Sequence, residues 1–338
     1  QHIGIWALRA LKVAQRQVLA VVPAILFLTA SGLDAGALED EIERSVSSYS
    51  QGNMSLTPDT TLDAAALIPK LYALRNYAPG WFGTQNSEQL FVELNKGLEQ
   101  GFRPTDFNLP ELYELHEAAK SGDPRDIARF ELVATDAAIK LVHHIVFGKV
   151  DASKLDSDWN FSRPIIENEP AEILNEYLSG EGFGALMALV ALDAAQYRQL
   201  VDALQRYRAI KNAGGWPIVP DETTLKPGMT HHAVVDLRRR LTIEGATGEV
   251  AGGGQAAQDQ VYDAALEAAV RRFQERHGLE ADGVVGPASF RSLNRSASER
   301  VDQLRLSLER ARWLMRDLEE EYVLVNIAGA RTYYVKPG

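Results

Sequence analysis

No cysteine occurs among the 338 residues. That excludes disulfides, thiolate metal ligands and a cysteine nucleophile within this sequence. No Gly-x-Gly-x-x-Gly fingerprint and no glycine-rich phosphate loop occurs, so a nucleotide is not an expected ligand. His-Glu-x-x-His is absent too, and neither a metal nor another cofactor is expected. Basic charge is scarce: 35 Lys and Arg stand against 46 Asp and Glu, a formal net charge of -11. There is no basic stripe, so nucleic acid is not an expected partner. Long apolar runs are missing except at residues 18–30. That run falls short of the roughly 20 residues that a bilayer span needs. The remainder is ordinary for a globular chain, with 46% hydrophobic and 24% charged residues, which argues against global disorder. The length suits two or three domains.

The most informative stretch is residues 262–294, YDAALEAAVRRFQERHGLEADGVVGPASFRSLN. Leu266, Val270, Phe273 and His277 recur at helical spacing, with Ala265 and Ala269 beside them, and predict one apolar face. Gly278 stands where a left-handed helix cap is expected. Asp282-Gly283 predicts a tight turn, because glycine accepts positive φ and aspartate bonds its own backbone. Gly286-Pro287 opens a second helix, with proline in the first turn where its missing N–H costs nothing. Phe290 and Leu293 are the buried side of that helix. The stretch resembles a small three-helix peptidoglycan-binding module. The resemblance rests on 269–274 (AVRRFQ), Gly278-Leu279, 282–286 (DGVVG) and Leu293. Peptidoglycan is the partner it implies. That polymer also carries carboxylates, so recognition by this acidic chain needs local Arg or Lys and hydrogen bonds. Arg272, Gln274, Arg276 and Asp282, polar groups beside the motif, are the expected contacts.

Residues 1–37 read as an export signal or membrane anchor. Arg9, Lys12 and Arg16 precede the apolar run 18–30, and Ala35-Gly36-Ala37 has the small-x-small form of a cleavage site. Residues 38–60 are ionic and polar, and read as a short helical or flexible connector. Residues 61–220 read as a helical scaffold domain. Leu67, Leu71 and Leu74 form one stripe and Leu90, Leu94 and Leu98 the next, closed by Gly101. Further helices are expected at 109–119, 130–150, 171–178, 183–192 and 196–210. The apolar 130–150 helix is expected at the centre of the bundle, ended by Gly148. His143 and His144 are adjacent, so on a helix their rings point about 100° apart and cannot share one metal; a structural role is expected. Asp126, Glu131 and Asp136 could suggest paired carboxylates for glycan cleavage, but a solvated helix face is the expectation.

Residues 214–217 (GGWP) mark a boundary, with Trp216 expected to pack as a plug. The module then spans 225–295. Thr230 is its expected helix cap, and Val234, Leu237 and Leu241 give the first helix its apolar face. A loop insertion at 242–261, with AGGGQ at 251–255, interrupts the module. Residues 296–321 are expected to form a linking helix, with a Ser296/Glu299 capping box and a seam of Val301, Leu304, Leu308, Ala311, Met315 and Leu318. Glu309, Arg310, Arg312 and Arg316 are expected on its solvated side. Residues 322–327 and 332–335 read as two strands joined by a turn at 328–331. Two strands alone are not a stable unit.

The order of these parts is similar to the large periplasmic L,D-transpeptidases of Gram-negative bacteria. The motifs that carry the likeness are 71–81 (LYALRNYAPGW), 214–217, 309–314 (ERARWL) and 323–327 (VLVNI). The resemblance implies an exported, periplasmic protein of the cell envelope that crosslinks third residues of stem peptides. It implies a cysteine nucleophile in a Ser-His-Gly-Cys segment of a β-rich catalytic domain. This sequence contains neither, so no catalytic role passes to any residue present. The expected fold is mainly α: a helical scaffold bundle, a three-helix module, and at 322–338 the start of a truncated catalytic domain. A non-enzymatic wall-binding scaffold protein and the accessory region of a wall hydrolase are the alternatives.

Overall fold

The computed structural model describes residues 35–53, 62–151, 169–245, 259–317, 321–326 and 331–336. The fold is mainly α, and the chain divides into two compact units: residues 1–194 with 309–316, and residues 195–308 with 317–338. The helix Ala195–Asn212, grouped with the scaffold on sequence, falls in the second unit. Residues 1–34 of the expected export signal or anchor at 1–37, and the loop at 251–255, lie outside the described residues.

The first described helix of the first unit is α1 (Ala35–Ser50), and the small-x-small triplet forms its first turn. Residues 38–50 were expected to be part of a connector. Instead Leu38, Ile42, Val46 and Tyr49 are all buried in the core. Their spacing of four, four and three is an amphipathic stripe hidden among ionic neighbours. Burying each side chain contributes about 1.5–3 kcal/mol of transfer free energy. There follow α2 (Leu62–Leu74), α3 (Gln85–Glu99), α4 (Leu109–Ala119), α5 (Pro124–Phe147), α6 (Pro170–Ser179) and α7 (Phe183–Val190). Helix α5 is central, as its composition predicts. It packs against α1, α2, α3, α4 and α7, and its 24 residues run about 36 Å. Gly148 ends it at φ +86°. In α2 the buried face is Ala64, Ile68, Leu71 and Tyr72; of the predicted leucine stripe Leu71 is buried and Leu67 packs partly buried against the core, while Leu74 is 46% exposed at the helix end.

Two of the three carboxylates expected on a solvated face of α5, Glu131 and Asp136, are inside, while Asp126 is half-buried. Glu131 is fully buried. Its Oε1 accepts from the backbone N–H of Trp81 (3.0 Å) and Phe82 (2.6 Å); its Oε2 accepts from the N–H of Gly80 (2.7 Å) and the Tyr72 hydroxyl (2.9 Å). Burial pushes its carboxyl above the usual range, against the pull of these donors. From the other side Arg75 donates to the carbonyls of Ala78 (3.2 Å) and Pro79 (2.9 Å). The motif at 71–81 therefore supplies a loop whose carbonyls are held by one charged side chain and whose N–H groups by another. The clamp holds Asn76 and Tyr77 at positive φ, 50° and 59°, a conformation that side chains with a Cβ resist. One turn along α5, Asp136 and Lys140 form a buried ion pair at 2.8 Å. His144 is buried between Phe102 and Phe107, and burial, with His143 beside it, holds its imidazole down at about 3.

The second unit holds α8 (Ala195–Asn212), α9 (Ala233–Ile243), α10 (Ala264–Arg276), α11 (Pro287–Leu293) and most of α12 (Ala297–Leu314). Its core gathers Val234, Leu237 and Leu241 of α9, Leu266, Val270 and Phe273 of α10, and Phe290 and Leu293 of α11. Two single antiparallel bridges, Leu225 with Val285 and Thr230 with Val261, tie the connecting segments. Thr230 is therefore not the cap of α9. His232 occupies that position without a side-chain hydrogen bond, and the His231 Nδ1 accepts from Ala233 N at 3.3 Å. The Ser296/Glu299 capping box is present, with Glu299 N donating to Ser296 Oγ (3.2 Å) and Ser296 N to Glu299 Oε2 (2.8 Å).

Residues 309–316 complete the first unit, and the charges there are not all solvated. Arg312 is buried, 4.1 Å over the Phe102 ring, and donates to the Gln100 carbonyl just past α3 (2.6 Å). Arg316 donates to carbonyls in the last turns of α5 (Ile145, 3.2 Å) and α7 (Val190, 2.7 Å). Helix ends leave their last carbonyls without intrahelical partners and carry partial negative charge. These arginines satisfy three such ends, which explains charge in a segment that reads as solvated.

Strands β1 (Tyr322–Asn326) and β2 (Arg331–Val335) pair antiparallel, from Tyr322 opposite Val335 to Asn326 opposite Arg331. Val323, Leu324 and Val325, like Tyr333 and Tyr334, are exposed. Since successive residues alternate sides, apolar groups are exposed on both faces of this hairpin.

Candidate functional site

The Asp-Gly turn of the second unit is built from four sides. Gln274 is its centre. The Gln274 Oε1 accepts from Gly283 N (2.9 Å), and its Nε2 donates to Asp282 Oδ1 (2.9 Å), Val284 O (2.9 Å) and Ser289 Oγ (3.2 Å). Asp282 Oδ1 also accepts from Val284 N at 2.8 Å, a bond that draws its carboxyl below the usual range. The Tyr262 hydroxyl donates to Gly283 O at 2.6 Å, and Arg271 holds the Ala281 carbonyl. Val285 exchanges backbone bonds with Leu225 at 3.1 and 2.9 Å. Gly283 sits at φ +77°, where its lack of a Cβ is required.

This arrangement separates the four residues singled out on sequence. Gln274 is 1% exposed, with both amide atoms engaged, and is not available to a polymer outside. It contributes by shaping the loop. Asp282 is exposed but already serves the turn. Arg272 and Arg276 are exposed and lie four residues apart on α10, hence on one stripe. Position 274 is about 200° around the helix from 272, so that stripe faces away from the turn.

Replacing Gln274 by alanine leaves the Gly283 N–H without its acceptor, and is expected to lower the stability of the second unit by about 2–3 kcal/mol. Gln274→Glu is expected to be no better, because it sets a second carboxylate against Asp282. Urea midpoints, with amide exchange at residues 282–285, measure both.

Sequence alone did not single out a cleft lined by Asp221, Thr224, Pro287, Phe290 and Arg291, of about 170 Å³. No periodic signal joins residues 221–224 to 287–291. The Leu225–Val285 bridge does so.

Two family models match this chain. A scaffold domain matches residues 66–204, and a peptidoglycan binding domain matches residues 230–293. A 70-residue segment, 21% of the chain, is 40% identical to a zinc D-Ala-D-Ala carboxypeptidase of Streptomyces albus G, and spans about a quarter (26%) of that protein's length. A scaffold-domain match followed by a peptidoglycan-binding-domain match is an architecture of the cell-wall-binding kind. Among the described residues no helix is long and apolar enough to cross a membrane. Nor do they contain a group of three or more His, Cys, Asp or Glu side chains able to hold a metal ion.

Proposed function

We propose that this chain is the non-catalytic scaffold and wall-binding portion of an L,D-transpeptidase that acts in the periplasm. Its partner in the same parent chain would be a cysteine-dependent catalytic domain. The observation that carries the reading is the order of parts: a scaffold domain, then a peptidoglycan binding domain, then the Glu-Arg-x-Arg-Trp-Leu segment and a hairpin. That hairpin exposes apolar side chains on both faces, as strands awaiting further sheet would. The unit with 309–316 supplies a rigid support, and the second unit holds the wall. Arg272, Arg276 and Asp282 are the proposed contacts, with Gln274 positioning the loop. The alternative, a wall-binding scaffold without enzymatic activity, makes the same binding prediction and differs in crosslinking.

Purified sacculi should therefore pellet the 338-residue chain. The triple variant Arg272→Ala/Arg276→Ala/Asp282→Ala should be retained about ten-fold less. Loss of three exposed polar contacts at about 0.5 kcal/mol each gives that factor. A wild-type chain that stays in the supernatant at low salt would sink the wall-binding reading. The transpeptidase reading is tested separately by muropeptide analysis of cells lacking the parent gene. Crosslinks between third residues should fall, and unchanged crosslinks would favour the non-enzymatic scaffold.

A further inference from the structure

The cleft between residues 221–224 and α11 joins opposite charges over an apolar floor. Buried Phe290 and exposed Pro287 are its apolar lining residues. Asp221, Thr224 and Arg291 are exposed, and none of the three side chains has a hydrogen-bond or ion-pair partner among the described residues. Several other cations of this unit are spent on the fold: Arg238 on Asp263, Arg240 on Glu244, Arg271 on Glu267, and Arg300 on Ser292. A carboxylate and a guanidinium that share a cleft while serving nothing internal suit a ligand that carries both signs. Guanidinium groups pair with carboxylates through two parallel N–H donors, and the aspartate accepts from an ammonium group. The volume, about 170 Å³, is below the roughly 300–1,000 Å³ of pockets for drug-sized ligands. It suits the end of a peptide and not a disaccharide.

We propose that this cleft is the stem-peptide subsite of the wall-binding unit. It takes a residue bearing both a free carboxylate and a free ammonium group, with Arg291 on the carboxylate, Asp221 on the ammonium and the Thr224 hydroxyl bridging. Phe290 and Pro287 cover the aliphatic part. The inference rests on the wall-binding reading and specifies which part of the polymer is read. A single exposed site of this kind binds weakly; retention on the wall comes from many stems in reach of one chain.

The test uses the whole chain and a soluble disaccharide-tetrapeptide released from sacculi by muramidase, with binding followed by calorimetry or NMR titration. Glycan strands stripped of peptides are the control. Arg291→Ala and Asp221→Ala should each weaken fragment binding about five- to ten-fold and leave the weak binding of stripped strands unchanged. When the fragment's amine is acetylated, Asp221→Ala should cause no further loss. When its carboxylates are amidated, Arg291→Ala should cause none. Both variants are surface changes, and an unchanged circular dichroism spectrum and urea midpoint verify the fold. The proposal is overturned if both variants bind the fragment as the wild type does, or if stripped strands bind as well as the fragment. Either result leaves wall binding standing when sacculi still pellet the chain. A wild-type chain that fails to pellet removes the parent reading together with this one.

Discussion

Glu131→Ala is expected to lower the stability of the first unit by about 3–5 kcal/mol, the cost of removing one member of a buried charged network. The alanine strands the backbone N–H groups of Gly80, Trp81 and Phe82 in a dry interior. None of them can turn to another acceptor, because the peptide units are fixed by the loop they define. It also frees the Tyr72 hydroxyl, though Thr135 Oγ1, 3.0 Å away, remains a partner. Glu131→Gln is expected to recover little. One oxygen of the amide can serve Trp81 and Phe82, but its NH2 then faces the Gly80 N–H donor to donor. For a unit of this size, 1 kcal/mol moves the melting temperature by about 2–4 °C. The alanine variant should therefore melt about 6–20 °C lower. Trp81 is fully buried and donates to Thr135 Oγ1 at 2.9 Å, so its fluorescence reports the same transition. A Glu131→Ala protein with an unshifted midpoint would show that the loop holds itself without the carboxylate.

Arg240→Ala should cost the second unit a similar amount, about 3–5 kcal/mol. Arg240 is fully buried, stacked 3.6 Å over the Trp216 ring, with Nε on the Leu293 carbonyl (2.8 Å) and Nη1 on Glu244 (2.7 Å). The expected plug, Trp216, is thus the lid of a charged site: its Nε1 donates to Arg295 O at 2.9 Å, and Tyr207 packs edge-on at 5.8 Å. Without Arg240, Glu244 is a buried carboxylate short of its cation. The double variant Arg240→Ala/Glu244→Ala should be less damaged than Arg240→Ala alone, and a simple sum of the two single effects would contradict the coupling. Acid probes the same group. Burial pushes the Glu244 carboxyl up, but His277, Arg240 and Tyr207 outweigh it and bring it to about 2, from 4.5. A depressed carboxyl contributes stability that is complete above the unfolded value and is lost on protonation. The second unit should accordingly lose about 3 kcal/mol as pH falls from about 5 to 2. Glu244→Gln should flatten that part of the profile in urea titrations across this range.

Helix positions were legible where an apolar period met a strong boundary. Leu109–Ala119 lies where its stripe and flanking residues put it, and α5 is central because a long apolar run has few other ways to be buried. The turn glycines at 148, 278 and 283 all have positive φ, which their neighbours foretold. The register of α1 was hidden, because four apolar residues scattered among Glu, Ser and Asp look like a solvated connector. Charged residues were the least legible class. Glu131, Asp136, Arg240 and Arg312 are all buried, although charges of this kind are seldom fully buried unless paired. Glu131, Arg240 and Arg312 are compensated by backbone groups distant in sequence, and Asp136, Arg240 and Arg312 have ion-pair partners about one helical turn away.

The sequence by itself determined the helical class, the boundaries set by glycine and proline, the wall-binding module and the absence of a thiol nucleophile. These follow from residue type and local spacing, which act over one or two turns of chain. Tertiary structure alone decided that Gln274 is the internal brace of the Asp-Gly turn, that Glu131 and Arg75 clamp the loop at 78–82, and that Asp221 and Arg291 line one cleft. Those outcomes depend on which backbone donors and acceptors long-range packing leaves unsatisfied, and a linear pattern does not carry that information.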